Sequence, residues 1–305
     1  MSESKKNILE TKFRPLVSVI IVTYNSEKFL DKCIKNLLND LNKNFIEVII
    51  VDNFSEDQGY IYDKKLIKGI SVYKLNSNMG FSYANNFGYK KISKFSKYVL
   101  FLNPDAFVTK NLLKNLYSFM QKKDNEKIAA CSPCLVSYSI DKDMPLATID
   151  SAGISKSWYG KFFDKNQGKK FPFTENWSVN KKNLICGAFM FCRKSSLDEN
   201  LRNSKVWDEK FFMYKEDIDL SLHLKKNGMD LAILNNYFAY HCRGWNKKRF
   251  DVSSFSIKNS LYGDWLILSK NYYPIYNQIV HFFYLSIKSI FIYFEILFNL
   301  KTNKN

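Results

Sequence analysis

Residues 98–108 read YVLFLNPDAFV, an apolar, strand-favouring run that stops on Asn103-Pro104-Asp105. The pattern predicts a buried strand that presents one carboxylate at its tip. An Asn-Pro turn with a solvated or helix-capping Asp would account for a single such end. Others lie upstream. VSVIIVTYN (17–25) closes on Thr23-Tyr24-Asn25, and IEVIIVDN (46–53) closes on Asp52-Asn53.

Helical spacing separates these runs. SEKFLDKCIKNLLND (26–40) places Ser26 at an N-cap, ISVYKLN (70–76) reads as a further strand, and GFSYANNFGYKKI (80–92) reads as helix. Strands alternating with helices imply an α/β fold of βαβ units, with a largely parallel sheet buried on both faces. The carboxyl ends of such strands line one edge, where ligands bind. Asp52 and Asp105 would therefore face one crevice, with Asn25 and Asn103 at the same edge.

Bulk properties bound the alternatives. A chain of 305 residues accommodates one large domain with an appendage or two small domains, and 46% hydrophobic content excludes disorder. The net charge of +17 favours an anionic partner: nucleic acid, nucleotide phosphate or an acidic membrane face. The lysines are spread along helices and no nucleic-acid module is recognisable, so nucleic acid is not the expected partner. The first sixteen residues contain no apolar segment of signal-peptide length. The six cysteines include one C-x-x-C pair (Cys131 and Cys134) without a second to complete a zinc site. Buried free thiols in a cytoplasmic protein are expected.

Residues 137–183 read as a long irregular region or small subdomain with Trp158, Gly160, Gly168 and Trp177. NLICGAFMFCRKSSL (183–197) is apolar around Gly187, where a bare backbone would let a ligand approach closely. In FFMYKEDIDLSLHLKKNG (211–228), Ile218, Leu220, Leu222 and Leu224 alternate like a strand. They also pair at i,i+4 ahead of an Asn227-Gly228 stop, so a helix is expected with Glu216 and Asp217 in its first turn. Acids there can complement the helix dipole or serve chemistry. IVHFFYLSIKSIFIYFEILFNL (279–300) is apolar and aromatic but carries His281, Lys288 and Glu295. That composition suits a helix lying in a membrane interface better than one crossing it, the alternative being a helix packed on the domain or in a homodimer interface.

Taken in order, VSVIIVTYNSEKFLDKCIKNLL, VIIVDNFSEDQG, NMGFSYANNFGYKK, YVLFLNPDAFV, GAFMFCRKSSL and FFMYKEDIDLSLHLKKNG with AYHCRGWN resemble the successive signatures of inverting family 2 glycosyltransferases. The similarity is to the rhamnosyltransferase-like branch of bacterial surface-polysaccharide synthesis, and it runs from about residue 17 to 245. It implies a GT-A fold, Rossmann-like and mostly parallel, with a C-terminal helical extension. The catalytic domain would occupy 1–250, a nucleotide-sugar half at about 17–125 and an acceptor half at about 126–250, with 251–305 as the extension. The implied donor is dTDP-rhamnose or a UDP-sugar; the implied acceptor is a hydroxyl of a glycan or lipid-linked oligosaccharide. The implied cofactor is a divalent metal, Mn²⁺ or Mg²⁺.

Carried over by position, the resemblance puts Thr23 and Asp52 at the nucleoside, and Asn78, Gly80 and Asn85 around the donor pocket. Asp105 becomes the metal-binding acid of the DxD type, here in an Asn-Pro-Asp form. His241 becomes a second metal ligand, and Asp217 the catalytic base. Phe54 stands where the family often has a small polar residue. Arg243 and Trp245 replace frequently small residues and, with Glu216, are candidates for acceptor or diphosphate contacts.

The chemistry is self-consistent. A departing diphosphate gathers negative charge that a cation on hard oxygen ligands neutralises, and inversion needs a base opposite it to take the acceptor's proton. Adjacent helical residues point about 100° apart, so only one of Glu216 and Asp217 can aim inward. Paired carboxylates would also serve glycoside hydrolysis, which leaves the strand-end Asp52 without a role. An inactive membrane-bound scaffold of the same fold is a further alternative. A position at the inner face of the plasma membrane follows from the basic charge and the apolar tail.

Overall fold

The structure, a computed structural model, describes residues 14–171, 179–243 and 253–302, with side chains to 296. Its first half is the βαβ pattern. β1 (Val17–Thr23), β2 (Ile46–Asp52), β3 (Ile70–Lys74) and β4 (Tyr98–Leu102) pair in parallel in the order β3-β2-β1-β4. Every residue of β1 is buried, as a strand covered on both faces requires. α1 (Glu27–Asn42) buries Leu30, Cys33, Ile34, Leu37 and Leu41, one stripe at i,i+3,i+4 spacing. Ser26 precedes α1, but its hydroxyl bonds back to Tyr24 and caps no helical N–H. α2 (Phe81–Tyr89) follows β3.

The second half is mixed, with most of its strand pairs antiparallel but its two longest strands paired in parallel. After β5 (Ala106–Phe107) and α3 (Leu112–Met120) come β6 (Ile128–Ser139), β7 (Met144–Ser151), β8 (Ile154–Lys156), β9 (Phe162–Asp164), β10 (Val179–Asn180), β11 (Phe189–Arg193) and α4 (Lys194–Glu199). α5 (Glu216–Lys226) leads into β12 (Asp230–His241). Among the described residues ten strands form one sheet, β10-β12-β6-β11-β4-β1-β2-β3, with β5 on β12 and β7 on β6.

The irregular region expected at 137–183 is in its described part a β6–β7 hairpin followed by the β8–β9 pair. Its strands carry little pattern. β7 is exposed over its first four residues, includes Pro145 and pairs through register shifts, while β8 and β9 have three residues each. Trp177 lies outside the described residues. α5 is the expected helix. It buries Ile218, Asp219, Leu220, Ser221, Leu222 and Leu224, most of its circumference, which explains why helical periodicity is weak there.

The C-terminal helices are α6 (Ser254–Ser269) and α7 (Ile275–Thr302). The inner stripe of α7, His281, Leu285 and Ile292, is buried. Lys288 pairs with Asp264 of α6 at 2.6 Å, and Trp265 Nε1 donates to Ser289 at 3.1 Å. The other face leaves Phe283, Phe291 and Phe294 more than 60% exposed. Ile275–Ile296 is long and apolar enough to cross a membrane by length and composition, at a mean hydropathy of 1.5.

Candidate functional site

The carboxyl ends of β1, β2 and β4 open into a cleft of about 920 Å³, closed on its far side by α5, the end of β12 and the start of α6. It collects Asn25, Asn53, Asn78, Gly80, Asn103, Asp105, Gly187, Glu216, Asp217, His241 and Arg243, brought together from positions scattered over more than two hundred residues.

On the nucleoside side, the two adjacent polar residues at the end of β2 divide their roles. Asp52 is fully buried. It accepts from Thr23 Oγ1 at 3.0 Å, from the Ser55 N–H at 3.0 Å and from the Ser55 hydroxyl at 2.6 Å. Thr23 is buried with it, so both lie behind the cleft wall and fix the turn that follows. Asn53 reaches the cleft instead, donating to Asn78 Oδ1 at 2.7 Å and accepting from the Met79 N–H at 2.9 Å. Asn85 is buried, donates to Phe81 O within its own helix and does not line the cleft. Asn103 does, with its Oδ1 shielded and without a hydrogen-bond partner. Gly80 sits at φ +86°, and a Cβ there would stand 2.7 Å from Phe212 O, so only glycine admits this crossing. Phe54 lies outside the cleft, 51% exposed at φ +71°, bordering a neighbouring hollow of about 660 Å³ with Tyr24 and Tyr62.

At the centre, β12 pairs with β5 so that His241 registers with Ala106, which sets His241 beside Asp105. His241 Nε2 lies 3.4 Å from Asp105 Oδ1, and its Nδ1 bonds Asp150 Oδ2 at 2.7 Å. Arg243 clamps behind, with Nε 2.9 Å from Asp150 Oδ1 and Nη1 2.7 Å from Asp164 Oδ2. Burial alone would lower the His241 pKa; the flanking Asp105 and Asp150 carboxylates outweigh it and push it up to about 10. Asp105 shows the reverse: burial would raise it, and His241 holds it below the usual carboxylate range. Arg243, expected to touch acceptor or diphosphate, has two of its donors committed to Asp150 and Asp164, while still bordering the cleft. Trp245 lies outside the described residues.

The donor set fits a hard divalent cation. Asp105 would offer an oxygen, and His241, held by Asp150 through Nδ1, would offer Nε2 once a cation displaces the proton it carries beside Asp105, with positions left for diphosphate and water. No group of three or more His, Cys, Asp and Glu side chains converges as a ready-made metal cage among the described residues.

Asp217 occupies the first turn of α5. Its Oδ2 accepts from the Gly187 N–H at 2.8 Å and its Oδ1 from the Ile218 N–H at 2.8 Å. A Cβ on residue 187 would stand 2.9 Å from that of Asp217, so glycine here serves approach by a protein carboxylate. Burial raises the Asp217 pKa, and the two N–H donors oppose the rise. Burial raises Glu216 too, with the charge of Asp217 adding to it, and its Oε2 has no hydrogen-bond partner. Of this pair Asp217 is the better stabilised as a carboxylate. Tyr214 and Lys215, just ahead of α5, both take positive φ, 68° and 71°, so the helix start is held in a strained turn.

Asp150 and Asp164 carry no sequence signal: they lie in β7 and β9, within the stretch that reads as irregular. For Asn53 the signal was present, since neighbouring residues of a strand point to opposite sides and only one of Asp52 and Asn53 can face a ligand.

Residues 18–201 match the pattern of glycosyl transferase family 2. Glycosyltransferase GlyG of Streptococcus pneumoniae serotype 4 is 30% identical over 216 residues, covering 66% of this chain and 64% of that protein. Rhamnosyltransferase WbbL of Escherichia coli K12 is 24% identical over 251 residues, covering 79% of this chain and 88% of that protein. The mannosyltransferase PcManGT from Pyrobaculum calidifontis, solved with GDP-Man and Mn²⁺, superposes with a TM-score of 0.53 at 14% identity, over 81% of this chain and 64% of that one. That structural likeness speaks for the GT-A-like fold. The chain spans a little under two thirds of the length of GlyG.

Proposed function

The chain belongs to glycosyl transferase family 2, and from that premise we propose that it moves a sugar, with inversion, from a nucleoside-diphosphate donor to a hydroxyl of a glycan or lipid-linked oligosaccharide in bacterial surface-polysaccharide synthesis. The observation that carries the reading is the convergence of Asp105, His241 and Asp217 in one cleft with the asparagines of the β1, β2 and β4 ends. The GDP-Man solved with PcManGT supports a nucleotide-sugar donor and WbbL is a rhamnosyltransferase; the donor proposed here is dTDP-rhamnose or a UDP-sugar.

Asn53 and Asn78 fix the loop at the nucleoside end, with Asp52 and Thr23 bracing it from behind. Asp105 and His241 would hold the Mn²⁺ or Mg²⁺. Bound there, the cation neutralises the charge gathering on the diphosphate. Asp150 and Arg243 keep His241 oriented. Asp217, held by two backbone N–H groups, takes the proton from the acceptor hydroxyl. Burial and the charge of Asp217 push the Glu216 pKa up, which disfavours a second negative charge beside the base.

A panel of nucleotide sugars incubated with Mn²⁺ tests the reading, with release of the nucleoside diphosphate as readout. One donor class is expected to be turned over. Neither turnover nor binding for any donor would overturn the assignment.

The tail belongs to the same proposal: α7 lies in the membrane interface with its aromatic face in lipid. Its inner stripe and the Lys288–Asp264 pair bind it to the domain, so it would lie flat on the surface, as an interfacial helix does. Changing Phe283, Phe291 and Phe294 to Ser leaves that stripe intact. The triple variant is expected to move from the membrane to the soluble fraction with its donor turnover retained. Unchanged membrane recovery would return the helix to a homodimer or domain contact.

A further inference from the structure

A separate hollow of about 520 Å³ adjoins the catalytic cleft and shares Ile154 with it. Lysines dominate its wall: Lys156 from β8, Lys182 from the segment before β11, and Lys225 and Lys226 from α5, with no acidic residue among the lining side chains. Lys156 is the most telling. Its Nζ is shut off from solvent without a hydrogen-bond partner, 3.1 Å above the centre of the Tyr273 ring. Burial lowers its pKa and no acid offsets the effect. Lys225 Nζ donates to the carbonyls of Lys181 and Lys182 at 3.3 and 3.0 Å and keeps a third N–H. The acid that acts on it, Asp230, pairs with Lys181 at 3.8 Å.

The opposite wall is pre-set. The Tyr272 hydroxyl donates to the buried Asp219 at 2.8 Å, and Gln278 of α7 donates to Tyr273 O at 2.6 Å. Exposed apolar residues begin immediately beyond, with Ile275 and Tyr276 both about 70% exposed. Ammonium groups gathered in a concavity without counter-ions are unfavourable unless an anion neutralises them. Lysine is a point-charge partner for phosphate.

We propose that this hollow binds a phosphate group, supplied by the headgroup of an anionic phospholipid whose acyl chains meet the exposed face of α7. The placement carries the choice of source: the basic wall ends where the apolar face of α7 starts, so headgroup and chains would be met in sequence. The site goes beyond the transfer reaction, and its test does not use turnover.

The full chain is sedimented with phosphatidylcholine vesicles, with and without phosphatidylglycerol. The pair Lys182→Gln and Lys226→Gln is exposed and leaves the half-buried Lys156 in place. Together they are expected to weaken binding to the anionic vesicles by roughly 25-fold, about fivefold per lysine. Binding to phosphatidylcholine alone should stay unchanged. Lys35→Gln with Lys122→Gln, exposed lysines outside the hollow, is expected to cost much less. An equal loss in this control pair would mean diffuse attraction and overturn the site. A parallel arm titrates glycerol phosphate and inorganic phosphate against melting temperature. A saturable shift lost in the Lys182/Lys226 variant, with no difference on vesicles, would keep the phosphate site and overturn the lipid source. No effect in either arm would overturn both.

Discussion

Asp217→Asn is expected to lower sugar transfer by roughly 10²–10⁴-fold, the scale of losing general-base assistance. Donor and metal binding should barely change, because Asp217 sits at the start of α5, whereas the proposed metal ligands Asp105 and His241 lie in the turn after β4 and at the end of β12. An amide cannot accept from both Gly187 and Ile218 without turning its NH₂ toward one of them, so some local stability, about 1–3 kcal/mol, is lost as well. Turnover at a temperature where both proteins are folded is therefore the deciding measurement. A carboxylate that only complements the helix dipole would cost about 0.3–1 kcal/mol of stability and leave turnover near normal. Glu216→Gln, which removes a carboxyl whose ionisation burial and the Asp217 charge oppose, is expected to stay active. The reverse pattern, Glu216→Gln dead and Asp217→Asn active, would show the other acid to be the base.

The pH profile carries the same assignment. The base works only when ionised, and burial places its pKa above that of an ordinary carboxylate. As pH falls, protonation removes the base earlier than it would in a solvated Asp. The acid limb of the transfer rate should therefore begin at a higher pH than a free carboxylate would give. A limb at the ordinary carboxylate position would argue that the kinetically essential acid is solvated.

Removing the metal is the other large effect. EDTA is expected to abolish transfer and Mn²⁺ or Mg²⁺ to restore it. Asp105→Ala should weaken metal-dependent nucleotide binding and leave the fold intact, since the residue occupies the turn after β4 and adds little to the core. Asp150→Asn tests the layer behind. Its carboxylate fixes the His241 ring at 2.7 Å and bonds Arg243 at 2.9 Å, and loss of such an outer partner typically costs 10–100-fold in metal affinity. Titrating Mn²⁺ against nucleotide binding measures both variants. Full transfer in EDTA would dismiss the metal.

What the sequence determined by itself is the part governed by short-range pattern. Continuous apolar runs alternating with helical spacing specify a parallel sheet covered on both faces. The polar residues that end those runs mark the edge where a ligand meets the strands. Asp105 could be placed that way, and Asp217 through its position in a helix's first turn. Which of the two polar residues at a strand end faces the cleft and which the core is a matter of pleat, and the tertiary structure put Asn53 in the cleft and Asp52 behind it. The His241 partner was decided only in three dimensions. Asp150 stands 91 residues earlier, in an edge strand with Pro145 and register shifts, where neither period nor motif singles out an acid. The same holds for the lysine-lined hollow. Lys156, Lys182, Lys225 and Lys226 come from a three-residue strand, a loop and a helix, and charge carries no periodicity by which a chain can announce that four of its many lysines will share one cavity.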